Sequence, residues 1–230
     1  MLVKPDERVP LARLLQFIER GEQLAHDCAR AQATWAPEPG MRKFLLGQAR
    51  QEGYHALSFK WVIGWLAPRH VGEVPILKPF NQYAQRLHAA LRHENFAESL
   101  LAEQIILEGL GEALLKKIET GLINRKAPFQ KLRRILLHQE EAHHAFGIRS
   151  LQRTIDRQEI SREQLIQQAQ EYLVLAESML WSVTDLFDAI EEDPKEYLAE
   201  FHRHLPGWLV PNSQSEPYQS FENQETEKCY

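Results

Sequence analysis

Apolar residues recur at steps of three and four through most of this 230-residue chain, the period of amphipathic helices and not the alternation of strands. Leu15, Ile18, Glu22, Ala25 and Ala29 make one such stripe in a helix predicted over 9–35. Pro37 and Pro39 break it, because proline cannot continue the hydrogen-bond ladder, and the turn is short enough to return the chain antiparallel. A second helix, 41–66, carries Leu45, Gln48, Glu52, His55, Phe59, Val62 and Leu66 on its seam and stops before Pro68. The connection that follows, to 93, holds a short helix over 80–92 and is long enough to cross along a bundle. Asn95 to Glu98 reads as a capping box opening a third long helix over 96–120, whose Lys116 and Lys117 suit the negative end of its dipole. After a loop over 121–127, Pro128 takes a first-turn position in a fourth helix that runs to 157. Ser161 to Gln164 is a further capping box, ahead of a fifth helix to 191, and Asp193-Pro194 starts a sixth that ends before Pro206.

The pattern therefore predicts an all-α protein with one helical domain over 1–210 and a polar, turn-rich tail over 211–230 that has too little apolar surface to pack. Twelve prolines and eleven glycines are few for this length, which agrees with long helices. The net charge of -5 argues against nucleic acid, or an anionic membrane, as the main partner. Residues 1–10 hold no apolar signal region, and the run Trp61 to Ala67 is too short to span a bilayer, so a cytoplasmic protein without a membrane span is expected. The two cysteines, Cys28 and Cys229, form no Cys-x-x-Cys unit, which leaves out a zinc ribbon or an iron–sulfur site.

The chemistry concentrates at 138–147, His-Gln-Glu-Glu-Ala-His-His-Ala-Phe-Gly. Glu141 and His144 there are three apart, on one face of a helix, and Glu52 and His55 repeat that spacing on the second helix. One Glu-x-x-His arises often by chance. Two such units, each joined by a lone Glu from another helix, make the inward-facing ligand set of a di-iron or di-manganese carboxylate bundle. In the first hairpin Glu22 lies as far before the turn as Glu52 lies after it, while Glu19 is at the edge of the seam. On the third helix Glu103, Glu108 and Glu112 all fall within reach. The second loop is about three residues longer than the first, so a separation of about 33 is expected against 52 - 22 = 30; since 141 - 108 = 33, register favours Glu108. The apolar stripe of Phe96, Leu100, Leu107, Leu110 and Leu114 is instead centred on Glu103, so the two criteria disagree. Gly109 and Gly111 beside Glu108 would make room for a metal pair. The expected ligands, which are also the catalytic residues, are Glu22, Glu52, His55, Glu108, Glu141 and His144.

Around that set, Glu140 is expected to orient His55 and Gln51 to orient His144 through ring N–H groups. His138 is expected at the surface, His143 as a hydrogen-bonded spectator, Tyr54 as a packing aromatic and Glu103 either beside a substrate or at the surface. The basic group Arg125, Lys126, Lys131, Arg133 and Arg134 gathers at one bundle end, as a solvated face or a dock for an acidic electron donor.

Four stretches carry a family resemblance: Ile18-Glu19-Arg20-Gly21-Glu22-Gln23, Ala49 to His55, Ile105-Ile106-Leu107-Glu108 and Glu140 to Gly147. Over roughly Ile18 to Arg149 the chain resembles the ferritin-like di-iron carboxylate superfamily, and within it most of all the cyanobacterial aldehyde-deformylating oxygenases. The resemblance implies a ferritin-like four-helix bundle with a crossover between the second and third long helices and additional C-terminal helices. It independently assigns Glu22 and Glu108 as ligands. Two Fe ions are implied, with a manganese–iron pair as the alternative, and O2 or peroxide as co-substrate. A small organic substrate, an apolar one among them, and an external electron donor such as a ferredoxin complete the expected non-haem di-iron oxygenase or oxidase. The chain departs from that family at Leu115, where a tyrosine is usual, at Glu103 in place of glutamine and at Tyr54 in place of arginine, so the fatty-aldehyde substrate does not carry over with the metal shell. A rubrerythrin-like peroxidase or ferroxidase, iron storage and a non-catalytic metal-bound helical scaffold are the competing expectations; a transfer-RNA hydroxylase ranks below them on charge.

Overall fold

The computed structural model describes residues 3–70, 77–127, 129–157 and 159–209. Helix α1 (Arg8–Trp35) and helix α2 (Pro39–Leu66) form the antiparallel hairpin that the prolines predict, with Pro39 in the first turn of α2. After a 3-10 turn at Pro68–His70 comes α3 (Lys78–Arg92). The third rod has three parts: α4 (Phe96–Leu100), a π-helical segment (Leu101–Leu107) and α5 (Glu108–Asn124). Helix α6 (Gln130–Asp156) pairs with it, and α7 (Arg162–Trp181), α8 (Thr184–Asp188) and α9 (Pro194–His204) complete the described chain.

Side-chain caps set three of the helix starts. The Asn95 side chain accepts from the Glu98 backbone N–H, and Ser161 and Gln164 form the full reciprocal box. Asp193 caps α9, whose last turn carries Arg203, a cation suited to its negative end. Two expectations change. The helix predicted from 161 to 191 stops at Trp181, and the third rod runs to Asn124 instead of 120. Lys116 and Lys117 are therefore not in its last turn; they pair with Glu112 and Glu196. Pro128 and the tail over 211–230 lie outside the described residues.

Among the described residues the core is continuous from Leu14 and Phe17 on α1 through Tyr83 and Leu87 on α3 to Leu101, Ile105 and Ile106 in the π segment, and on to Tyr172, Phe187 and Phe201. The Tyr83 hydroxyl donates to the Ala102 carbonyl, so a backbone acceptor in the widened turn finds a partner on another helix. On the α2 seam Leu45, Gln48, Glu52, His55, Phe59 and Leu66 are buried as expected, but Val62 is 42% exposed.

Helix α6 presses on the π segment at Gly147. A Cβ built there would stand 2.5 Å from Gln104 Cβ and 3.0 Å from the Gln104 backbone carbon and oxygen, so relief would require moving a helix. Gly147→Ala should therefore cost about 1–3 kcal/mol by overpacking. Urea unfolding would reveal this as a lower midpoint at constant slope; an unchanged midpoint would show that the two helices separate freely.

Candidate metal centre

Glu22 on α1, Glu52 and His55 on α2, and Glu108 at the start of α5 converge in the interior, each 6% exposed or less. From α6 the residues that join them are Glu140 and His143, at 2% and 1% exposure. Two groups of potential ligand atoms result, each with all its atoms within 4.8 Å of one another: Glu22, Glu52, His55 and Glu140, and Glu52, Glu108, Glu140 and His143. They share Glu52 and Glu140. Each group thus adds one private carboxylate and one imidazole to the same two central carboxylates.

Glu141 and His144, the expected α6 pair, do not join this cluster. One residue along a helix turns the side chain by about 100°, which takes Glu141 outward to 49% side-chain exposure beside Lys116 and His138. His144 faces the other way, with Nδ1 3.2 Å from Glu112 in a separate network with His204 and Lys116. The displacement traces to loop length. Three residues, 36–38, join α1 to α2, and five, 125–129, join α5 to α6. The second link is therefore two longer, and 30 + 2 = 32 leads from Glu108 to residue 140. Reckoning the loop three longer pointed to 141.

A second signal in the sequence marks the same register. Gln51-Glu52-Gly53-Tyr54-His55 and Gln139-Glu140-Glu141-Ala142-His143 are one Gln-Glu-x-x-His word used twice. The glutamines act across the pair: Gln139 Oε1 is 2.8 Å from His55 Nε2, and Gln51 Oε1 is 2.7 Å from His143 Nε2. A glutamine oxygen only accepts, so each imidazole must donate from Nε2, which turns Nδ1 towards the carboxylates. Gln51 therefore orients His143, not His144, while Glu140 meets His55 as expected, its Oε1 2.8 Å from Nδ1, and Gln139 takes the opposite ring nitrogen. His143, expected as a spectator, lies among the buried potential ligand atoms. Tyr54 is 67% exposed and His138 lies at the surface, with an 86% exposed side chain.

The conflict between Glu103 and Glu108 resolves in the π segment. With i→i+5 hydrogen bonds, positions five apart come onto one face, so both residues turn inward. Gln48 donates from one amide nitrogen to both, at 3.1 Å to Glu103 Oε1 and 2.7 Å to Glu108 Oε1. Behind Gln48 runs a buried amide chain through Gln104 to Gln32 and Ser99. Neither Gln104 nor Gln32 stood out in the sequence, because a buried glutamine has no periodic signature beyond its place in an apolar stripe.

The electrostatics are those of too many buried acids. Burial, reinforced by neighbouring carboxylates, raises Glu22, Glu103 and Glu108 well above the usual range. Burial also opposes ionisation of Glu52, yet hydrogen bonds from His143 and His55 outweigh it and hold this carboxyl low. His55 is raised by Glu140, Glu22 and Glu52 against the cost of its own burial. Glu52 Oε1, Glu140 Oε1 and His143 Nδ1 are buried with no partner beyond two ion-pair contacts, His143 Nδ1 to Glu52 Oε1 at 2.7 Å and His55 Nδ1 to Glu140 Oε1 at 2.8 Å. Lone pairs crowded around a common point are what a divalent cation satisfies, so the donor set fits a pair of metal ions.

Three of these carboxylates, Glu22, Glu108 and Glu140, border a narrow cavity of about 40 Å3 otherwise walled by apolar groups such as Phe17, Phe80, Leu110 and Leu114.

No protein-family model matches the chain, and no curated protein does. Among solved structures, a protein with aldehyde deformylating oxidase activity from Synechococcus superposes with a TM-score of 0.74 over 88% of this chain and 89% of its own, at 22% identity. The chain has the ferritin-like fold.

The raised acids give the metal-free protein an inverted pH response. Glu22, Glu103 and Glu108 stay protonated in the fold at pH values where the unfolded chain, with carboxyl pKa values near about 4.3, has released those protons. The native state then binds more protons, and stability falls as pH rises. His55 adds to the fall above its unfolded value of about 6.5, whereas the depressed Glu52 withdraws stability only in strong acid. Calorimetric melting of chelator-treated protein should show a melting temperature that declines from pH 6 to pH 9; a rise over that interval would contradict the buried, protonated acids.

Proposed function

We propose that the chain is a non-haem di-iron oxygenase or oxidase that reduces O2 at a dinuclear centre and oxidises a small, apolar organic substrate. The observation that carries this reading is the pair of Glu/His quartets sharing Glu52 and Glu140. Glu22 and His55 would hold one ion, Glu108 and His143 the other, and Glu52 and Glu140 would be available to both. When bound, such a pair stores and releases electrons next to open coordination positions where O2 can be reduced, and oxygen-rich ligands favour its oxidised state. A manganese–iron pair would suit the same donors.

The remaining residues prepare that site. Gln139 and Gln51 fix the histidine tautomers. Gln48 holds Glu108 and Glu103 in register through its amide hydrogens. Glu103, kept protonated by burial, retains an unpartnered Oε2 that can give a proton within the site. The apolar cavity beside Glu22 and Glu108 excludes bulk water and admits a small hydrocarbon-like group. Electrons come from an external donor such as a ferredoxin, and the protein works in the cytoplasm; no described helix is long and apolar enough to cross a membrane.

Metal analysis together with O2 electrode measurements tests the reading. The wild type should hold two ions per chain and consume O2 under reducing conditions, faster with substrate present. Glu140→Ala should lose at least one ion and the O2 uptake, while Glu141→Ala should keep both. Equal metal loss in the two variants, or two tightly held ions inert to O2 and peroxide, would contradict it; the second result would point to a metal-stabilised scaffold.

A further inference from the structure

The outward side of α2 has a second, largely apolar stripe that stays exposed, with Arg8 of α1 reaching over the ring of Trp65 at its end. Leu46, Arg50, Tyr54, Leu57, Trp61 and Trp65 follow one another at steps of four, four, three, four and four, which aligns them along about 28 Å of helix. Tyr54 is 67% exposed, Leu57 51%, Trp61 74% and Trp65 58%. A helix that already buries its other side in a core needs no such stripe.

Helix α6 widens the patch. Gln139 opposite His55 and Gln51 opposite His143 give index sums of 194 in both cases, which defines an antiparallel register between α2 and α6. The same sum sets residue 132 level with residue 62 and residue 129 level with residue 65. Leu132 is 63% exposed, Ile135 55% and Phe129 73%. Large apolar side chains left exposed at matching levels of two facing helices are the kind of area that marks an interaction surface.

Charge narrows the choice of occupant. The only acid along α2 is the buried Glu52, and 130–139 has none, while Arg42, Lys43, Arg50, Lys131 and Arg134 are exposed on the same two helices. Lys60 sits near Glu19 of α1. On a chain of net charge -5 this is a local reversal of sign. A second copy using the same face would bring like charges together. Transient electron-transfer contacts are small, which fits poorly with a face bearing eight large apolar side chains. Tryptophan and tyrosine interspersed with lysine and arginine match the boundary of a lipid bilayer, where rings sit among headgroups and cations meet phosphate.

We propose that the α2/α6 face docks on an anionic lipid surface, with Trp61, Trp65 and Phe129 entering the headgroup boundary. This contact is peripheral, requires no spanning helix and is independent of the metal reading. Co-sedimentation of the full chain with phosphatidylserine/phosphatidylcholine vesicles, against phosphatidylcholine alone, is the test. The wild type should sediment with the anionic vesicles and be released by salt. W61S/W65S and K131E/R134E, with helical content and metal content equal to wild type, should each weaken binding at least about tenfold. The proposal is overturned if the wild type stays in solution with anionic vesicles or if both folded variants bind as well as wild type. It is equally overturned if wild-type dimers on size exclusion are dispersed by W61S/W65S, since a second copy would then be the occupant.

Discussion

Four carboxylates and two imidazoles share one buried interior, and this crowding of like charge is the constraint on which the rest depends. Two unit charges about 4 Å apart interact by roughly 4 kcal/mol at an effective dielectric constant near 20, before any cost of removing them from water. Glu22, Glu52, Glu108 and Glu140 cannot all ionise without compensation. The molecule meets the constraint by protonating some of them and by setting His55 and His143 against Glu52. Metal ions would relieve it more completely, and the buried atoms of Glu52, Glu140 and His143 are where that relief would act.

Precision in such a site comes from the helices behind it. Each imidazole is held from the rear by a glutamine on the opposite helix, so tilting α2 or α6 would disturb both histidines at once. The π segment performs a comparable service for Glu103 and Glu108, which an unbroken α-helix would spread 140° apart by the usual turn of about 100° per residue. Its wider turn is supported from outside by Tyr83 and from the side by the close approach of Gly147 to Gln104. Packing, tautomer choice and electrostatics are thus properties of the same few contacts.

Much of this was legible beforehand, because the helical period, the prolines and the caps act locally. Glu22, Glu52, His55 and Glu108 could be singled out by their place on a seam and their distance from a turn. The α6 pair could not be placed as securely, because Glu140-Glu141-Ala142-His143-His144 contains two overlapping Glu-x-x-His units and only the loop length or the preceding glutamine distinguishes them. The π segment left an ambiguous trace: a stripe centred on Glu103 beside a register that favoured Glu108, each criterion reporting one of two inward residues. Net charge concealed the α2/α6 face, since a sum over the chain cannot show that acids and bases sit on different sides. Val62 was assigned to the seam on spacing alone, yet lies beyond the edge of the buried stripe.

The claim that two metal sites share Glu52 and Glu140 is tested most directly by anomalous diffraction from crystals of the protein loaded with Mn2+. The account predicts two anomalous peaks per chain separated by about 3.5–4 Å, one beside His55 and Glu22, the other beside His143 and Glu108. A single peak, or density against Glu112, Glu141 and His144 instead, would contradict it.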